Sequence, residues 1–306
     1  MDVSKMKHRG IRLTMEDRVV NAVILVVMVI VFLATAYPFY YVLVMSFNEG
    51  MDALSGGIYL WPRVVTLENY GQFLTDEKWL IAIFISVART LLGTGIGVFF
   101  TCLVAYGMSF RDLALRKVYY TFMIICMYFS GGLIPYYLTI RSLGLLNSFW
   151  VYILPGMFGI YNMILATSFF QSIPHEMHES AYLDGANDLV IYFRIILPLS
   201  MPLLATLALY VAVGQWNSWM DTAYFCTGDK NLRTLAYLLR DVIVSNQTGT
   251  QAMSSMDANA AGRIKPTTTQ SIQMAAMIIS VVPIICVYPF LQKYFVGGIM
   301  LGAVKG

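Results

Sequence analysis

Long apolar stretches alternate with short polar ones along this chain of 306 residues. A helix needs about 20 predominantly apolar residues to cross the hydrocarbon core of a bilayer. Six stretches without Asp, Glu, Lys or Arg reach that length, namely 19–48, 90–110, 118–140, 142–174, 195–220 and 266–292. We therefore predict an all-α polytopic membrane protein with six transmembrane helices, at about 19–46, 80–108, 118–140, 149–171, 199–223 and 270–295.

The composition supports this prediction and excludes other classes. Charged residues make up 12% of the chain, about half the share found in soluble domains, and the mean hydropathy is +0.67. A net charge of +3 is too small to indicate binding to nucleic acid. Three of the four cysteines fall inside predicted spans and Cys226 stands alone, so no disulfide framework or metal-binding cysteine pair is expected.

The basic residues predict which side of the membrane each loop faces. Five Lys or Arg residues precede the first span, and three more lie in the short loop 109–117. Short loops rich in Lys and Arg stay on the cytoplasmic side. Both termini and the polar stretch 173–198 are therefore predicted to be cytoplasmic, and loops 47–79 and 224–268 extracellular. The chain then divides into a cytoplasmic N-terminal segment, a six-helix transmembrane domain and a cytoplasmic C-terminal tail, at 1–18, 19–296 and 297–306.

The stretch 173–198 is the largest cytoplasmic segment between spans. It begins at Pro174, where the preceding helix is expected to end, and Gly185 tolerates the backbone of a tight turn. We predict a second helix that Asp184 caps and Pro198 ends. The predicted helix, turn and helix lie at 175–183, Gly185 and 187–197. Such a segment forms a projecting knob that suits a groove on another protein.

Three functions are open for this segment. The first is a metal site, because "HEMHE" places His175 and His178 one turn apart, although the zincin pattern requires histidine where Glu179 stands. The second is a membrane enzyme, because "DGAND" resembles the opening of lipid-alcohol phosphotransferase sites. The further aspartates that would hold a metal and a phosphate in such a site are missing. The third is a coupling element that docks onto a motor subunit.

The third interpretation has the most specific sequence match. The segment resembles the EAA loop of importer-type ABC transporter permeases, in which Glu-Ala-Ala is followed by Gly and then by Ile-x-Leu-Pro. The residues that carry this resemblance are Glu179, Ser180, Ala181, Asp184, Gly185, Ala186, Ile195, Leu197 and Pro198. Ser180 departs from the pattern, because it replaces the middle alanine, but it is small enough to keep the first helix thin.

The resemblance extends over most of the chain. The stretches "GGLIPYYLTIRSLGLLNSFWVYILP" and "GQWNSWMD" look like the carbohydrate-uptake permeases, and the end "FVGGIMLGAVKG" looks like the tail of maltose-type members. Within that family the chain looks closest to the alginate- and LplC-like subgroup for complex oligo- and polysaccharides. The resemblance implies a type I ABC importer permease fold in the plasma membrane of a prokaryote.

The resemblance also implies a set of partners. These are a second homologous permease, two cytoplasmic ATPase subunits, an extracellular solute-binding protein and an oligosaccharide substrate. The chain contains no G-x-x-x-x-G-K-[ST], so it has no phosphate-binding loop of that type, and ATP and Mg are expected on the partner ATPase. No catalytic residue, cofactor or metal is expected in this chain. Glu179 is expected to pair with a basic residue of the ATPase.

Two further segments are assigned to partners by the resemblance. The glycine-rich tail would lie between the ATPase subunits, and a frayed end without function is the alternative. The polar loop 224–268, whose composition favours an extended or mobile segment, would enter the cleft of the solute-binding protein, and a passive surface loop is the alternative. The residues concerned are Gly302, Lys305 and Gly306 in the tail and Gln247, Gly249 and Gly262 in the loop.

The substrate path is predicted from residue chemistry. A sugar path needs aromatic faces for stacking and polar groups for hydroxyls, although aromatic residues also gather at membrane interfaces. Arg89, the one full charge well inside a span, would neutralise an acidic substrate, snorkel outward or pair with the partner permease. The other candidates are Tyr128, Phe129, Asn162, Gln215, Trp216 and Asn217.

The remaining alternatives concern the class of transporter. An ABC permease for a solute other than a carbohydrate is one alternative. A six-span secondary transporter is the other, but it would place acidic groups near the membrane midplane, and the predicted spans contain almost none. The run from Gly93 to Gly97 lacks the further glycine of a dinucleotide fingerprint, so we interpret it as a site of close helix packing.

Overall fold

The computed structural model describes residues 14–247 and 268–303. Within these ranges the chain forms helices joined by turns, with no β-strand, which confirms the all-α prediction. The α-helices, numbered α1 to α14, are Met15–Ser46, Gly50–Leu54, Glu68–Thr75, Glu77–Ser109, Arg116–Tyr128, Leu133–Ser142, Ile160–Gln171, His175–Leu183, Asp188–Ile191, Leu197–Leu199, Met201–Asn217, Met220–Phe225, Leu235–Gln247 and Thr269–Ala303. Short 3₁₀ segments occupy Phe149–Tyr152, Leu154–Gly156 and Lys230–Leu232, and a π-helical turn occupies Tyr192–Ile196.

Five of the six predicted spans coincide with these elements, whereas the fifth along the chain, 199–223, overlaps a bent pair that covers 188–217 and so begins within the predicted cytoplasmic stretch. Helices α1 and α4 and the segment Gln270–Val287 of α14 are each long and apolar enough to cross a membrane. Three bent pairs pass the same test when each pair is taken together: α5 with α6, 149–156 with α7, and 188–199 with α11. The described residues therefore hold three candidate spans, or six if each bent pair is one span, and the count of six stays a prediction.

Three of the predicted spans are broken and not continuous, at 118–140, 149–171 and 199–223. Helices α5 and α6 meet at 114°, because Gly132 adopts φ +85° between them, a conformation that glycine tolerates. The other two breaks are bent by 47° and 83°. They lie beside Pro155 and Pro202, each at the start of a helical segment, where the missing proline N–H costs no hydrogen bond.

The helices that contain the first and last predicted spans extend beyond those spans. Helix α1 begins at Met15, inside the predicted segment 1–18, because Thr14 accepts a hydrogen bond from the Asp17 N–H and the Asp17 carboxylate accepts one from the Thr14 N–H. Helix α14 continues to Ala303, so it includes seven residues of the predicted tail 297–306. Gly297 and Gly298 lie within this part of the helix. Each glycine costs a helix about 1 kcal/mol relative to alanine, but α14 continues past both.

The predicted extracellular loop 224–268 also contains more structure than its composition indicated. Residues 235–247 form α13, which packs against α4 and α14. The polar composition that favoured an extended loop belongs mostly to the part after α13. Of the predicted partner residues, Gln247 ends α13 and Gly302 lies within α14. Gly249, Gly262, Lys305 and Gly306 lie outside the described residues.

Helix α4 is the centre of the packing. It contacts α7 on one side and α11 on another, and two of its glycines let α11 approach closely. A Cβ on Gly93 would lie 2.8 Å from the Gln215 side chain, and one on Gly97 would lie 3.5 Å from Val211. The glycine run from Gly93 to Gly97 is therefore a packing site, as predicted.

Candidate functional site

The polar segment 173–198 begins with the short helix predicted from its sequence. Helix α8 spans His175–Leu183, as predicted, and ends in a turn at Gly185, whose φ is +81°. The Gly185 N–H donates to the Tyr182 carbonyl at 2.9 Å, and the Ala186 N–H donates to the Ala181 carbonyl at 3.0 Å. These two bonds form a Schellman motif, in which glycine is favoured because the turn residue is left-handed.

The second arm of the segment is capped by a residue that the sequence analysis did not select. The Asn187 side chain accepts a hydrogen bond from the Val190 N–H at 2.9 Å, so Asn187 and not Asp184 is the N-cap. Asp184 instead ends α8, because the Schellman turn includes it. The arm runs through α9, the π-helical turn and α10 to Leu199 and so continues past Pro198, which lies in the first turn of α10 and therefore needs no N–H partner there.

One side of this segment is exposed and the other is packed. The side chain of Glu179 is 68% exposed, and the Nδ1 atom of His175 lies 3.3 Å from its carboxylate. Leu183, at the tip beside the turn, is 89% exposed. On the inner side Ala181 and Ile196 are buried. Of the remaining motif residues Ala186, Ile195 and Leu197 are half-buried, while Ser180, Asp184, Gly185 and Pro198 are exposed.

The inner side of α8 rests on an aromatic cluster, defined here as Tyr106, Phe110, Phe170, His178 and Tyr192. Tyr106 is its centre, with ring centroids 5.0 Å from Phe110, 6.3 Å from Phe170, 6.0 Å from His178 and 5.0 Å from Tyr192. Burial lowers the pKa of His178, and nearby His175 lowers it further, whereas Asp188 opposes both effects. The neutral imidazole of His178 is therefore the favoured form in this environment.

A metal site at "HEMHE" finds no support. His178 is part of the aromatic cluster on the inner side, and His175 pairs with Glu179 on the exposed side. Within residues 14–247 and 268–303, no group of three or more His, Cys, Asp or Glu side chains is placed to hold a metal ion.

A second set of polar residues surrounds Arg89 inside α4, about 18 Å from the start of that helix at 1.5 Å per residue. The Arg89 side chain is 2% exposed and its Nη2 atom lies 2.8 Å from the Asp221 carboxylate. It also donates to Gln215 Oε1 at 2.8 and 3.0 Å and to the Ser218 carbonyl at 3.2 Å. The guanidinium carbon lies 4.4 Å from the Tyr152 ring centroid.

In this structure Arg89 has a partner of opposite charge within its own chain. Its charge is neutralised by Asp221 of the same chain, a pair that the sequence analysis missed because 132 positions separate the two residues. Gln215 is part of the same network, since its Nε2 donates to the Tyr152 carbonyl at 3.1 Å. The network joins α4, the 3₁₀ segment 149–152 and the break between α11 and α12.

The other predicted path residues are not brought together. The Trp216 side chain is buried, and its indole N–H donates to the Ser280 carbonyl of α14 at 2.9 Å, so it packs two helices together. Asn217 is exposed at the end of α11, and Asn162 is half-buried near the start of α7. Tyr128 and Phe129 stand at the break after α5, where they are 81% and 78% exposed.

Comparison with known proteins places the chain in a family. Residues 93–300, more than half of the chain, match the family described as the inner membrane component of binding-protein-dependent transport systems. The chain therefore belongs to this family of transport permeases.

Relatives and a solved structure agree with this assignment. The chain is 37% identical to the polygalacturonan/rhamnogalacturonan transport system permease protein YtcP of Bacillus subtilis, over 95% of this chain and 100% of that protein. It is 36% identical to the protein LplC of Bacillus subtilis, over 89% of this chain and 90% of that protein. A chain of a bacterial ABC transporter involved in the import of the acidic polysaccharide alginate superimposes with a TM-score of 0.82 at 29% identity, over 92% of this chain and 98% of that chain. The predicted type I permease fold is confirmed.

Proposed function

We propose that this chain is one membrane-spanning subunit of an ATP-driven, binding-protein-dependent importer for oligosaccharides or polysaccharide fragments. It carries out no covalent step, and it converts closure of a cytoplasmic ATPase into alternating access of the substrate path. The observation that carries the proposal is the coupling loop 173–198, in which two helical arms project around Gly185 with Glu179 and Leu183 on the exposed side.

The shape of the coupling loop supports docking into a groove of another protein. Leu183 exposes an apolar side chain at the tip, and burying such a side chain against a partner protein stabilises the complex. Glu179 adds a carboxylate one turn behind the tip, which suits a basic residue on the partner. The left-handed turn at Gly185 fixes the angle between the two arms.

The proposal includes the partners that the family implies. The family description names a binding protein, and we expect the solute-binding protein to dock on the extracellular side near loop 224–268. A second homologous permease completes the path, and two ATPase subunits bind ATP and Mg, so this chain needs no cofactor. Both termini are cytoplasmic in this proposal, which places the tail residues Gly302, Lys305 and Gly306 next to the ATPase.

The substrate class rests on the relatives. The names of YtcP and of the superimposable transporter state polysaccharide substrates for those proteins, and the similarity covers nearly the whole chain. A six-span secondary transporter is disfavoured, because Asp221 is already paired with Arg89 and so is not free to carry an ion. The same pair leaves Arg89 neutralised in this conformation, which does not support the hypothesis that Arg89 holds an acidic substrate.

The proposal is tested by reconstituting the chain with its partner subunits and solute-binding protein in proteoliposomes. Uptake of labelled oligosaccharides is measured with ATP, without ATP, and with an imposed proton or sodium gradient. We expect uptake that requires ATP and does not respond to the gradient. Uptake that runs on the gradient alone would contradict the proposal.

Helix α8 carries two exposed carboxylates, so one can serve as the matched control for the other. Glu179→Ala removes the exposed motif carboxylate and is expected to lower both ATPase binding and uptake. Glu176→Ala removes another exposed carboxylate of the same helix, outside the motif, and is expected to leave both unchanged. Equal effects of the two substitutions would show that Glu179 has no specific role at the ATPase surface.

A further inference from the structure

Helix α8 contacts the spans through one narrow face. Seven of its nine residues are exposed, and only His178 and Ala181 are not. Side chains three positions apart lie on the same face of a helix. Because the Ala181 side chain ends at Cβ, the His178 ring is the one large side chain of α8 that is not exposed.

The His178 ring lies against a residue that touches several elements. Its plane differs by 14° from that of Tyr106 in α4, and the two ring centroids are 6.0 Å apart, which is an offset stack. Tyr106 also contacts Phe170 of α7 and Tyr192 of the second loop arm. Since close-packed side chains transmit displacement, a movement of α8 would reach α7 and the second loop arm through Tyr106.

The Nδ1 atom of His178 does not account for the position of the ring. Among the described residues, its buried Nδ1 atom has no hydrogen-bond partner, and neither has the buried hydroxyl of Tyr106. A buried polar atom without a partner carries a desolvation cost. A ring without polar atoms is therefore expected to serve equally well at position 178, which separates a packing role from a proton-transfer role.

We infer that His178 is a positioning residue that transmits the movement of the coupling loop to α4 by stacking on Tyr106. The inference rests on the proposed function, because the loop has a movement to transmit only if it docks onto an ATPase. His178 touches neither substrate nor nucleotide in this account, and it acts through the helix on which it stacks.

The test uses the assembled transporter in proteoliposomes and measures the ATP hydrolysed per sugar imported. His178→Ala removes the stack and is expected to raise this ratio about two- to tenfold, the factor that corresponds to the loss of one aromatic pair. His178→Phe keeps a ring and is expected to restore the wild-type ratio. Met177→Ala shortens the neighbouring, exposed side chain and is expected to leave the ratio unchanged.

A substitution of Tyr106, the other ring of the stack, keeps the test decisive if the His178→Ala chain does not assemble with its partner subunits. Tyr106→Leu fills much of the same volume without a ring and is expected to raise the ratio as His178→Ala does. Wild-type ratios in both variants, or a His178→Phe variant as defective as His178→Ala, would overturn the inference. A wild-type complex that shows no ATP-dependent uptake would contradict the proposed function and is distinguishable from either result.

Discussion

The ion pair between Arg89 and Asp221 offers the most quantitative test of the structure. Asp221→Asn keeps the shape and the acceptor oxygen of the side chain but removes its charge, so it leaves the guanidinium buried without a counter-ion. Breaking a buried pair in this way costs about 3–5 kcal/mol. The Arg89 side chain is 2% exposed and the Asp221 side chain 29%, so we expect a value near the lower end, about 3 kcal/mol.

A double-mutant cycle isolates the interaction itself. Arg89→Met alone leaves the Gln215 side-chain oxygen without its donor and Asp221 without its counter-ion, although the Ser218 hydroxyl still donates to Asp221 at 2.8 Å, and is expected to destabilise the protein. The combined variant with Asp221→Asn is expected to cost clearly less than the sum of the two single changes, because the second change removes a charge that the first had already left unpaired. The free energy of unfolding is measured by denaturant titration in detergent, with tryptophan fluorescence as the signal.

The control is an ion pair on the surface. Lys78 lies 2.9 Å from Asp76, with side chains 62% and 38% exposed, and such pairs contribute about 0–1 kcal/mol. Lys78→Met is therefore expected to cost less than about 1 kcal/mol. If Asp221→Asn costs no more than Lys78→Met, or if the two single changes are additive, the buried network does not exist as described.

Three further predictions follow from local contacts. Gly93→Ala places a Cβ against the Gln215 side chain and is expected to destabilise the protein by about 1–3 kcal/mol, whereas Gly95→Ala, with open space around it, is expected to stabilise it slightly. The pKa of His178 is lowered, so the packing of its neutral ring is complete above the ordinary histidine pKa and is lost as the pH falls through the lowered value. The ATP hydrolysed per sugar imported should therefore rise at acid pH in the wild type and not in His178→Phe. Asn187→Ala removes a cap worth about 1 kcal/mol and should speed hydrogen exchange in residues 188–196, whereas Asn187→Asp should not.

Local chemistry made the coupling loop predictable. Pro174 and Gly185 fixed the limits of α8 and the position of the turn, because both residues restrict or permit backbone angles regardless of distant contacts. The prediction of the capping residue was wrong because two neighbouring residues have the same local chemistry. Asp184 and Asn187 are both good caps, and only the Schellman turn, which takes Asp184 into the end of α8, leaves the cap to Asn187.

Features that depend on distant residues could not be read from the sequence. The pairing of Arg89 with Asp221 joins positions 132 apart, and no periodicity indicates it. The burial of Trp216 against α14 likewise depends on how two spans cross. The break at Gly132 was visible as two consecutive glycines, but apolar residues on both sides made the stretch 118–140 look like one continuous span.

The central claim is that the turn of the coupling loop links ATP hydrolysis to transport, and two glycines test it most directly. Gly185 and Gly144 have φ of +81° and +69°, and each N–H donates to the carbonyl three residues earlier, at 2.9 and 3.0 Å. Proline is incompatible with both turns, because its φ is fixed near −65° and it has no N–H. We expect Gly185→Pro to abolish ATP-driven uptake while Gly144→Pro, outside the loop, retains it. Equal uptake by the two variants would contradict the account.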